Sequence, residues 1–453
     1  MTPEVVTALA RAVHDAGGRA LVVGGCVRDE LLGRTPKDYD VEVYGLAAAR
    51  LRGLLDAFGR VDTVGESFTV YKVAGLDVSL PRRESKSGRG HKGFTVEGDP
   101  HLSIEDAARR RDFTINAIAR DPLTGAILDP FAGRGDLEAR RLRVVDPRTF
   151  GDDSLRVLRA LQFTARFDLT VDDDTKALLR EIALDDLPAE RIWGEVEKLL
   201  LQAARPSVGL ALALELGVVD RLWPELRPLV GCPQEPEWHP EGDVWVHTLL
   251  VVDQARLRIA DLDRGRAAAV MLGALCHDLG KPSTTAVSDG RIRSLGHEEA
   301  GVVPATSLLD RLNVQTMDGF DVRWAVLGIT AHHLKPGAFM KATPPVSDGA
   351  FRRLAQKVDM ELLARVAEAD CEGRGGGFDC SSMGRFLERA RSLGVENKPP
   401  APIVLGRHLL GMGMKPGPDV GAILKQIYER QLDGEIVTLD DGLALARQLV
   451  AGR

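Results

Sequence analysis

The stretch VVGGCVRDELLGRTPKDYDVEVYG, residues 22–45, combines two apolar strand-like runs with a glycine pair and two aspartates two residues apart. Side chains alternate across a β-strand, so Asp38 and Asp40 should project from the same face of a sheet. Two like charges side by side repel each other and weaken a strand. A positive group or ion between them would remove the repulsion, and the rest of the sequence should indicate which.

Composition indicates a soluble globular protein of several domains. The 453 residues exceed what one core usually supports, which predicts about two to four domains. Hydrophobic residues make up 44% and charged residues 28% of the chain, and no apolar run reaches the roughly 18 residues of a membrane span. We therefore expect no membrane partner. The N-terminus reads as an amphipathic helix without a signal-peptide core.

Charge and cysteine usage restrict the partners and the compartment. The net charge is −7, whereas proteins that coat nucleic acid indiscriminately are usually basic, so any nucleic-acid contact should be a local cleft. The cysteines are few, scattered and without a CxxC pair, which predicts reduced thiols and a cytoplasmic location. They are Cys26, Cys232, Cys276, Cys371 and Cys380.

The pattern along the chain predicts four parts. Residues 1–150 mix strand and helix signals, and residues 151–228 are almost wholly helical in pattern. Residues 229–375 are also helical and hold six of the ten histidines. Residues 376–453 follow a glycine-rich joint and predict a small helical region.

The glycine pair favours close approach of the backbone to an anion. ALVVGG reads as a buried strand entering a tight turn, and VRDELL reads as the start of a helix. Gly24 and Gly25 would let a phosphate approach the first turn, where Arg28 could reach it. Taken alone, the same residues fit an ordinary strand–turn–helix, because they form neither a P-loop nor a dinucleotide fingerprint.

The aspartates add metal chemistry to this turn. Hard carboxylate oxygens next to a phosphate cradle are what Mg²⁺ requires, and two such ions can clamp a nucleotidyl transfer. Asp77, in FTVYKVAGLDVSL, is a candidate third carboxylate on a neighbouring strand, although a solvated strand end explains it equally well. Glu42 shares the strand face of Asp40 and is interpreted as peripheral.

Two later motifs carry arginines toward the same chemistry. Arg111 ends a run of three arginines, and Asp112 follows it at the entry to the apolar stretch FTINAIA. In GDDSLRVLRALQF, helical spacing brings Asp153, Arg156 and Arg159 near one face. A carboxylate and a guanidinium together can hydrogen-bond a base edge, although an intrahelical salt bridge would explain the same pattern.

In combination, GGCVRDELLG…KDYD, RRRDFTINAIA and GDDSLRVLR with PAERIWGEVEKLL resemble the bacterial tRNA nucleotidyltransferases and poly(A) polymerases of class II. The resemblance covers roughly the first half of the chain. It implies an α+β fold with a polymerase-β-like nucleotidyltransferase head, a small mixed sheet with helices, followed by all-α neck, HD and C-terminal domains. The head would be residues 1–150 and the neck residues 151–228.

The same resemblance assigns roles residue by residue. Gly25 and Arg28 would bind the triphosphate, and Asp38 and Asp40 would hold Mg²⁺. Three arginines and two aspartates would serve the nucleotide, with Asp153 and Arg156 as the template that selects ATP or CTP: Arg111, Asp112, Asp153, Arg156 and Arg159. The family usually has a Glu–Asp pair where this chain has two aspartates, residues 152–153, which leaves the charge unchanged.

Residues 81–100, PRRESKSGRGHKGFTVEGDP, are predicted to form a flexible basic loop. A solvated surface loop would have this composition. The resemblance implies a mobile loop that helps to switch between CTP and ATP, and Arg82, Arg83 and Lys86 could contact RNA or triphosphate.

The histidine-rich part resembles the HD phosphohydrolase superfamily. Its matching residues are His247 in WVHTLL, the pair His277–Asp278 in LGALCHDLGKP, and Asp370 in VAEADC. Imidazole and carboxylate together suit a divalent transition metal, Ni²⁺, Mn²⁺ or similar, that activates water. Lys281 would lie near phosphate. His297, His332 and His333 could line the same pocket or serve only structural roles.

The order of head, neck and HD domain resembles that of the longer bacterial CCA-adding enzymes. It implies addition of CMP and AMP from CTP and ATP to the 3′ end of tRNA, with a phosphatase or cyclic phosphodiesterase in the HD domain, by a monomer or homodimer. Addition of A alone, addition of CC alone and poly(A) synthesis remain as alternatives. A different alternative is an HD phosphohydrolase whose inactive head binds tRNA.

Overall fold

The computed structural model describes residues 3–64, 70–86 and 94–451, without the side chains of residues 64, 84–86 and 94–96. It divides into two compact units, the first comprising Met1–Leu199 with Val208–Arg221 and the second Leu200–Ser207 with Leu222–Arg453. The first unit therefore joins the predicted head to most of the predicted neck.

The head consists of short strands and helices. In chain order they are α1 (Glu4–Asp15), β1 (Arg19–Val23), α2 (Gly25–Leu31), β2 (Tyr39–Tyr44), α3 (Ala48–Leu55), β3 (Asp62–Val64), β4 (Val70–Val73), β5 (Leu76–Ser79), β6 (Arg82–Lys86), β7 (Phe94–Gly98), α4 (Ile104–Arg109), β8 (Ala119–Arg120), β9 (Ile127–Leu128), α5 (Gly133–Glu138), β10 (Arg141–Leu142) and α6 (Pro147–Phe150). Short 3₁₀ helices cover Asp56–Phe58 and Thr114–Asn116.

The head contains a mixed sheet with strand order β3-β4-β5-β2-β1-β8-β9. β2 runs parallel to β5, and the other neighbouring strands are antiparallel. The central strands carry apolar side chains such as Val22, Val41 and Val78, which are buried with Leu9 of α1 and Leu51 of α3. This arrangement confirms the predicted small mixed sheet with helices.

The basic segment of residues 81–100 is a hairpin where it is described, so the prediction of a flexible loop is wrong there. β6 pairs antiparallel with β7, from Arg82 opposite Gly98 to Lys86 opposite Phe94. The residues of β6, RRESK, do not alternate between apolar and polar types. The sequence pattern therefore did not indicate a strand here. Arg89 and Lys92 lie outside the described residues.

The helices that follow the head in the first unit confirm the helical pattern of the neck. They are α7 (Leu155–Phe167), α8 (Asp173–Glu181), α9 (Ala189–Gln202), α10 (Pro206–Glu215) and α11 (Val218–Leu222), with β11 (Thr170–Val171) after α7. Both α9 and α10 run across the division between the two units. The inner face of α7 is apolar and buried, with Leu158, Leu161 and Phe163 among its buried residues.

The second unit is mainly helical. Its elements are a 3₁₀ helix (Arg227–Leu229), α12 (Val244–Arg256), α13 (Arg264–Cys276), α14 (Lys281–Thr284), β12 (Thr285–Ser288), β13 (Arg291–Ser294), α15 (His297–Ala300), α16 (Val302–Arg311), β14 (Thr316–Met317), β15 (Phe320–Asp321), α17 (Val322–His332), α18 (Lys335–Lys341), α19 (Asp348–Leu354), α20 (Met360–Gly373), α21 (Ser381–Ser392), α22 (Gly406–Gly411), α23 (Pro418–Leu432) and α24 (Leu439–Ala451). The two short hairpins, β12–β13 and β14–β15, depart from the all-helical expectation.

Helix α13 is the central element of this unit. Every residue from Ala267 to Cys276 is buried, as expected of a helix that is apolar on all sides. It packs against α12, α17 and α20. Side chains from these three neighbouring helices can therefore meet at the C-terminal end of α13.

Two cysteines correct the thiol prediction. Cys371 in α20 and Cys380 before α21 form a disulfide, so the expectation of five reduced thiols is wrong for this pair. Cys26, Cys232 and Cys276 are free and buried. Among the helices of the described residues, none is long and apolar enough to cross a membrane.

Substitution Gly133→Ala should destabilise the head, because a Cβ at Gly133 would lie 2.1 Å from the carbonyl oxygen of Thr114. Backbone must move to relieve that overlap, at a cost of about 1–3 kcal/mol. Hydrogen exchange of peptides from residues 104–145 measures the loss of protection. Gly135→Ala in the same helix is the matched control, because a Cβ there has no atom within 4 Å. Equal exchange in both variants would contradict the packing described here.

Candidate nucleotide cleft and histidine–aspartate centre

Gly24 lets an arginine approach the turn between β1 and α2. Its φ of +78° lies in the region that favours glycine, and a Cβ there would lie 2.7 Å from Nη1 of Arg111. Gly25 begins α2, and Arg28 follows within that helix. The predicted glycine turn is therefore present. The group that approaches it closely is the side chain of Arg111, from the later motif RRRDFTINAIA.

The structure brings together the three predicted head carboxylates. Asp40 lies in β2 directly opposite Asp77 in β5, and Asp38 precedes β2. Protein around Asp40 displaces water and raises its pKa. Arg111 opposes this shift, whereas the charges of Asp77 and Asp38 reinforce it. Asp77 also accepts hydrogen bonds of 2.8 and 2.9 Å from Nζ of Lys72, so part of its charge is already neutralised.

Glu42 lies outside the lining of the nucleotide cleft, but it holds two arginines next to Asp40. Its side chain is buried and its Oε1 accepts hydrogen bonds from Arg110 (2.8 Å) and Arg111 (3.0 Å), while the Tyr44 hydroxyl donates to Oε2. Burial alone would raise the pKa of Glu42, but the two guanidinium groups outweigh it and lower the pKa. Glu42 therefore fixes the position of Arg111 beside Asp40.

Asp112 joins the head to helix α7 through a buried network. Its Oδ2 accepts a 2.7 Å hydrogen bond from Nε of Arg159, and its Oδ1 accepts one of 2.9 Å from the Asn116 amide. Asn116 Oδ1 in turn accepts a 2.6 Å hydrogen bond from Arg28. Burial would raise the pKa of Asp112, but Arg159 and the hydrogen bonds lower it. Asn116 was missed as a site residue, although it lies in the RRRDFTIN motif.

The neck residues lie in the same cleft with a different local geometry from that predicted. Helix α7 begins at Leu155, so Asp153 lies in the preceding turn and accepts from the Leu155 amide. Arg156 donates to the carbonyl oxygens of Arg110 and Thr149, at 2.6 and 3.2 Å. These hydrogen bonds hold Arg156 against the head.

A cleft of about 440 Å³ in the first unit contains most of the predicted nucleotide residues. Its basic residues outnumber the acidic ones, seven to three: Arg28, Arg111, Arg156, Arg159, Arg166, Arg191 and Lys198 against Asp40, Asp112 and Asp153. Burial lowers the pKa of Arg166, and the charge of Arg28 lowers it further. A polyanion such as a triphosphate would relieve this repulsion. Arg166, Arg191 and Lys198 were missed because ordinary helix surfaces carry the same residues.

The predicted basic contacts of residues 81–100 lie outside this group of lining residues. Arg83 donates a 2.9 Å hydrogen bond to Asp99, and Arg82 also has a partner. The side chain of Lys86 lies outside the described residues. Their contact with RNA or phosphate stays a prediction.

In the second unit, the predicted HD residues meet at the end of α13. Nε2 of His247 lies 3.3 Å from Nε2 of His277 and 3.1 Å from Oδ1 of Asp370. On its other side, Nδ1 of His247 lies 2.7 Å from a carboxylate oxygen of Glu241. Sequence reasoning missed Glu241, which orients the ring of His247 as carboxylates orient the histidines of metal sites.

Asp278 lies between this group and a second pair of histidines. Its Oδ2 is 3.2 Å from Nε2 of His277, and its Oδ1 is 3.4 Å from Nε2 of His297 and 3.8 Å from that of His333. Nζ of Lys281 lies 2.7 Å from Oδ2 of Asp278 and donates to Gln234. Burial raises the pKa of Asp278, but the surrounding cations and histidines lower it well below its usual range.

A cavity of about 280 Å³ opens beside these residues. Asp278, Lys281, His297, His333 and Asp370 line it, together with Trp238. His332, for which pocket lining and a purely structural role were both open, is absent from the lining of the cavity. His239 also lines the cavity, and burial lowers its pKa to about 4.

Comparison with known families agrees with the predicted head and part of the predicted neck. Residues 20–143 match the family described as "Poly A polymerase head domain", and residues 168–229 match "Probable RNA and SrmB- binding site of polymerase A". These two regions coincide with the sheet that carries Asp40 and with part of the helices that follow.

Two solved structures share the fold. The CCA-adding enzyme of Bacillus stearothermophilus in complex with CTP superposes with a TM-score of 0.65 at 22% identity, covering 100% of this chain and 99% of that one. The Thermotoga maritima CCA-adding enzyme complexed with tRNA has a TM-score of 0.58 at 18% identity, covering 99% and 94%. They confirm the predicted head with helical domains after it.

Curated relatives are similar over most of the chain. The "Multifunctional CCA protein" of Xanthomonas campestris pv. campestris (strain B100) is 36% identical over 420 residues, covering 89% of this chain and 95% of the relative. That of Stenotrophomonas maltophilia (strain K279a) is 42% identical over 385 residues, covering 81% and 89%. The chain therefore belongs to the multifunctional CCA proteins and is a CCA-adding nucleotidyltransferase.

Proposed function

We propose that the chain adds CMP and AMP, from CTP and ATP, to the 3′ end of tRNA at the cleft of the first unit. The observation that carries this proposal is that Asp40, the register partner of Asp77, lines a cleft that holds an excess of arginines. Solved structures of the same fold hold CTP, ATP or tRNA. We also propose that the chain has the four domains predicted from its sequence and that it is located in the cytoplasm.

Asp38 and Asp40 would hold Mg²⁺, and Asp77 lies where it could assist. The donor set fits, because burial and the neighbouring acids both raise the pKa of Asp40, and a bound cation would offset both effects. Lys72 already neutralises part of Asp77, which makes that residue the weaker ligand. When bound, Mg²⁺ would supply positive charge to the attacking 3′-oxygen and to the leaving pyrophosphate.

The arginines would hold the triphosphate while the 3′-oxygen of tRNA bonds to the α-phosphorus and the bond to pyrophosphate breaks. Arg28 is held by Asn116, and Arg111 is held by Glu42, so both guanidinium groups are already oriented before nucleotide binds. Groups held in place before binding lose little entropy when the charge develops. Asp153 and Arg156 are positioned to offer acceptor and donor atoms to the base.

Replacing Asp40 by alanine should lower nucleotide incorporation on the order of 10³-fold or more, because the cation loses a main ligand. Incorporation of labelled CMP and AMP into tRNA transcripts lacking the terminal CCA measures the effect. Binding of tRNA, followed by filter retention, should persist. Asp62→Ala, on exposed edge strand β3, is the matched control and should retain activity. Turnover by the Asp40 variant at the wild-type rate would exclude the mechanism.

Replacing Asp153 by alanine should lower kcat/KM for both CTP and ATP by about 5–150-fold, as expected when a hydrogen-bonded base contact is lost. Incorporation of UTP and GTP should change less, so the preference for CTP and ATP over UTP and GTP should become smaller. Single-nucleotide kinetics with transcripts ending before C and before A measure both quantities. The exposed Asp174→Ala in α8 is the control. An equal loss for all four triphosphates would assign Asp153 a structural role instead.

We propose in addition that the second unit hydrolyses phosphoesters with a divalent transition metal such as Ni²⁺ or Mn²⁺. His247, His277, Asp278 and Asp370 would hold the ion, and their donor set of imidazole and carboxylate fits such metals. Both carboxylate oxygens of Asp278 are buried without a hydrogen bond. When bound, the metal would activate a water molecule. Lys281, at the cavity wall, would face the phosphate.

Replacing Asp370 by asparagine should lower Mn²⁺-dependent hydrolysis of bis(p-nitrophenyl) phosphate on the order of 10²-fold, because a charged ligand is lost. CCA addition by the same variant should remain, since the residues proposed for CCA addition lie in the first unit. Asp289→Asn, in the exposed turn between β12 and β13, is the control. Hydrolysis that responds to Asp40→Ala rather than to the Asp370 variant would place the activity in the head.

A further inference from the structure

One arginine at the cavity of the second unit makes no ion pair within the part of the chain that the structure describes. Arg374 directly follows α20 and lines the cavity together with Lys281. Its Nε is buried and has no hydrogen-bond partner among the described residues. By contrast, Arg365 in the same helix pairs with Asp261 at 2.7 Å and with Glu361 at 2.9 Å. An unpaired guanidinium group beside a cavity is a donor for an anion.

Lys281, the other lysine or arginine that lines this cavity, already has protein partners. Its Nζ lies 2.7 Å from Oδ2 of Asp278 and donates a 2.7 Å hydrogen bond to Oε1 of Gln234. Two of its three ammonium hydrogens are therefore directed toward protein acceptors. A phosphoester that binds in the cavity would have to compete for them. Arg374 offers N–H donors for which no acceptor in the described residues competes.

Two aromatic rings support the guanidinium group of Arg374. Its Cζ lies 5.1 Å from the centroid of the Phe378 ring. Phe378 in turn stacks on Trp238, with ring centroids 6.5 Å apart and ring planes 27° apart. A Cβ at Gly376 would lie 2.7 Å from Cε2 of Phe378, so a larger residue there would displace the ring. A cation–π contact restrains the guanidinium plane and leaves its N–H groups free to donate.

A disulfide closes the segment that carries this arginine. Cys371 and Cys380 are bonded to each other, nine residues apart, and Arg374 and Phe378 lie between them. The same segment contains three consecutive glycines, residues 375–377, which would make an open chain flexible. Joining its two ends removes much of that conformational freedom. The disulfide therefore restrains both the arginine and the ring that supports it.

We propose that Arg374 binds the substrate of the second unit by donating to its charged phosphoester oxygens, and that the Cys371–Cys380 disulfide positions Arg374 for this contact. The planar guanidinium group can donate two parallel hydrogen bonds to two oxygens of one phosphate. The inference rests on the proposed phosphohydrolase and deepens it, because it assigns the residue that recognises the anionic group. Neither Arg374 nor the disulfide would hold the metal ion.

Kinetics of Arg374 variants test the binding role on the full-length chain loaded with Mn²⁺. Arg374→Ala should raise KM for bis(p-nitrophenyl) phosphate by about 10–100-fold, with a smaller change in kcat, because a charge-assisted hydrogen bond is lost. Binding of inorganic phosphate, measured by calorimetry, should weaken by a similar factor. Arg374→Lys keeps the charge and should recover part of the loss. Arg385→Ala, at an exposed position of α21, is the matched control.

The positioning role of the disulfide has its own test. The double variant Cys371→Ala/Cys380→Ala should raise KM by about 3–10-fold, the cost of ordering a mobile side chain on binding. Adding Arg374→Ala to this double variant should raise KM by a smaller factor than in the wild-type chain, since the disulfide acts through Arg374. A phosphine reductant, which water converts to phosphine oxide as the two thiols form, should give the wild-type chain the KM of the double variant.

The outcomes separate the inference from the proposed function. Hydrolysis with an unchanged KM in Arg374→Ala would overturn the binding role and leave the phosphohydrolase standing, whereas no hydrolysis by the wild-type chain would overturn both. Loss of bound Mn²⁺ from Arg374→Ala would also overturn the binding role. Equal effects of Arg374→Ala with and without the disulfide would overturn the positioning role. Circular dichroism melts and CCA addition by the same variants verify that each remains folded.

Discussion

The buried ion pair between Asp112 and Arg159 is the constraint on which the nucleotide cleft depends. A carboxylate removed from water is costly unless charge and hydrogen bonds compensate it, and Asp112 obtains both from Arg159 and Asn116. The partners lie 47 residues apart, so satisfying one charge fixes α7 against the head. Asn116 in turn accepts a hydrogen bond from Arg28. The buried charge of Asp112 therefore orients both Arg159 and Arg28 in the cleft.

The two units treat buried charge in opposite ways. In the head, Asp112 and Glu42 are each paired with arginines, and all of their carboxylate oxygens accept hydrogen bonds from the protein. At the end of α13, imidazole nitrogens and the oxygens of Asp278 face one another, and neither Asp278 oxygen makes a hydrogen bond within the described residues. Polar atoms that are hydrogen-bonded within the protein stabilise its fold, whereas buried polar atoms without partners favour the binding of a ligand. This contrast supports the proposals that the cleft receives a phosphate chain and that the centre at the end of α13 holds a metal ion.

Sequence patterns predicted what depends on local periodicity and on motifs. Helix α7, the strand of Asp40 and the grouping of His247 with His277 follow from spacing and resemblance. The network partners Asn116 and Glu241 were missed, because a single polar residue reveals nothing of contacts made by distant segments. The hairpin of β6 and β7 was missed because its strands lack apolar alternation. The Cys371–Cys380 disulfide was missed because spacing alone does not show that a helix end and a loop meet.

Ligand chemistry separates the metals of the two sites. The head offers carboxylate oxygens, which suit Mg²⁺, and the position of Lys72 on Asp77 leaves Asp38 and Asp40 as its main acids. The second unit offers imidazole nitrogens oriented by backbone carbonyls, which favour transition metals that bind nitrogen. Because oxygen-only sites bind such metals less strongly than sites with imidazole, one chain can keep two metal chemistries apart.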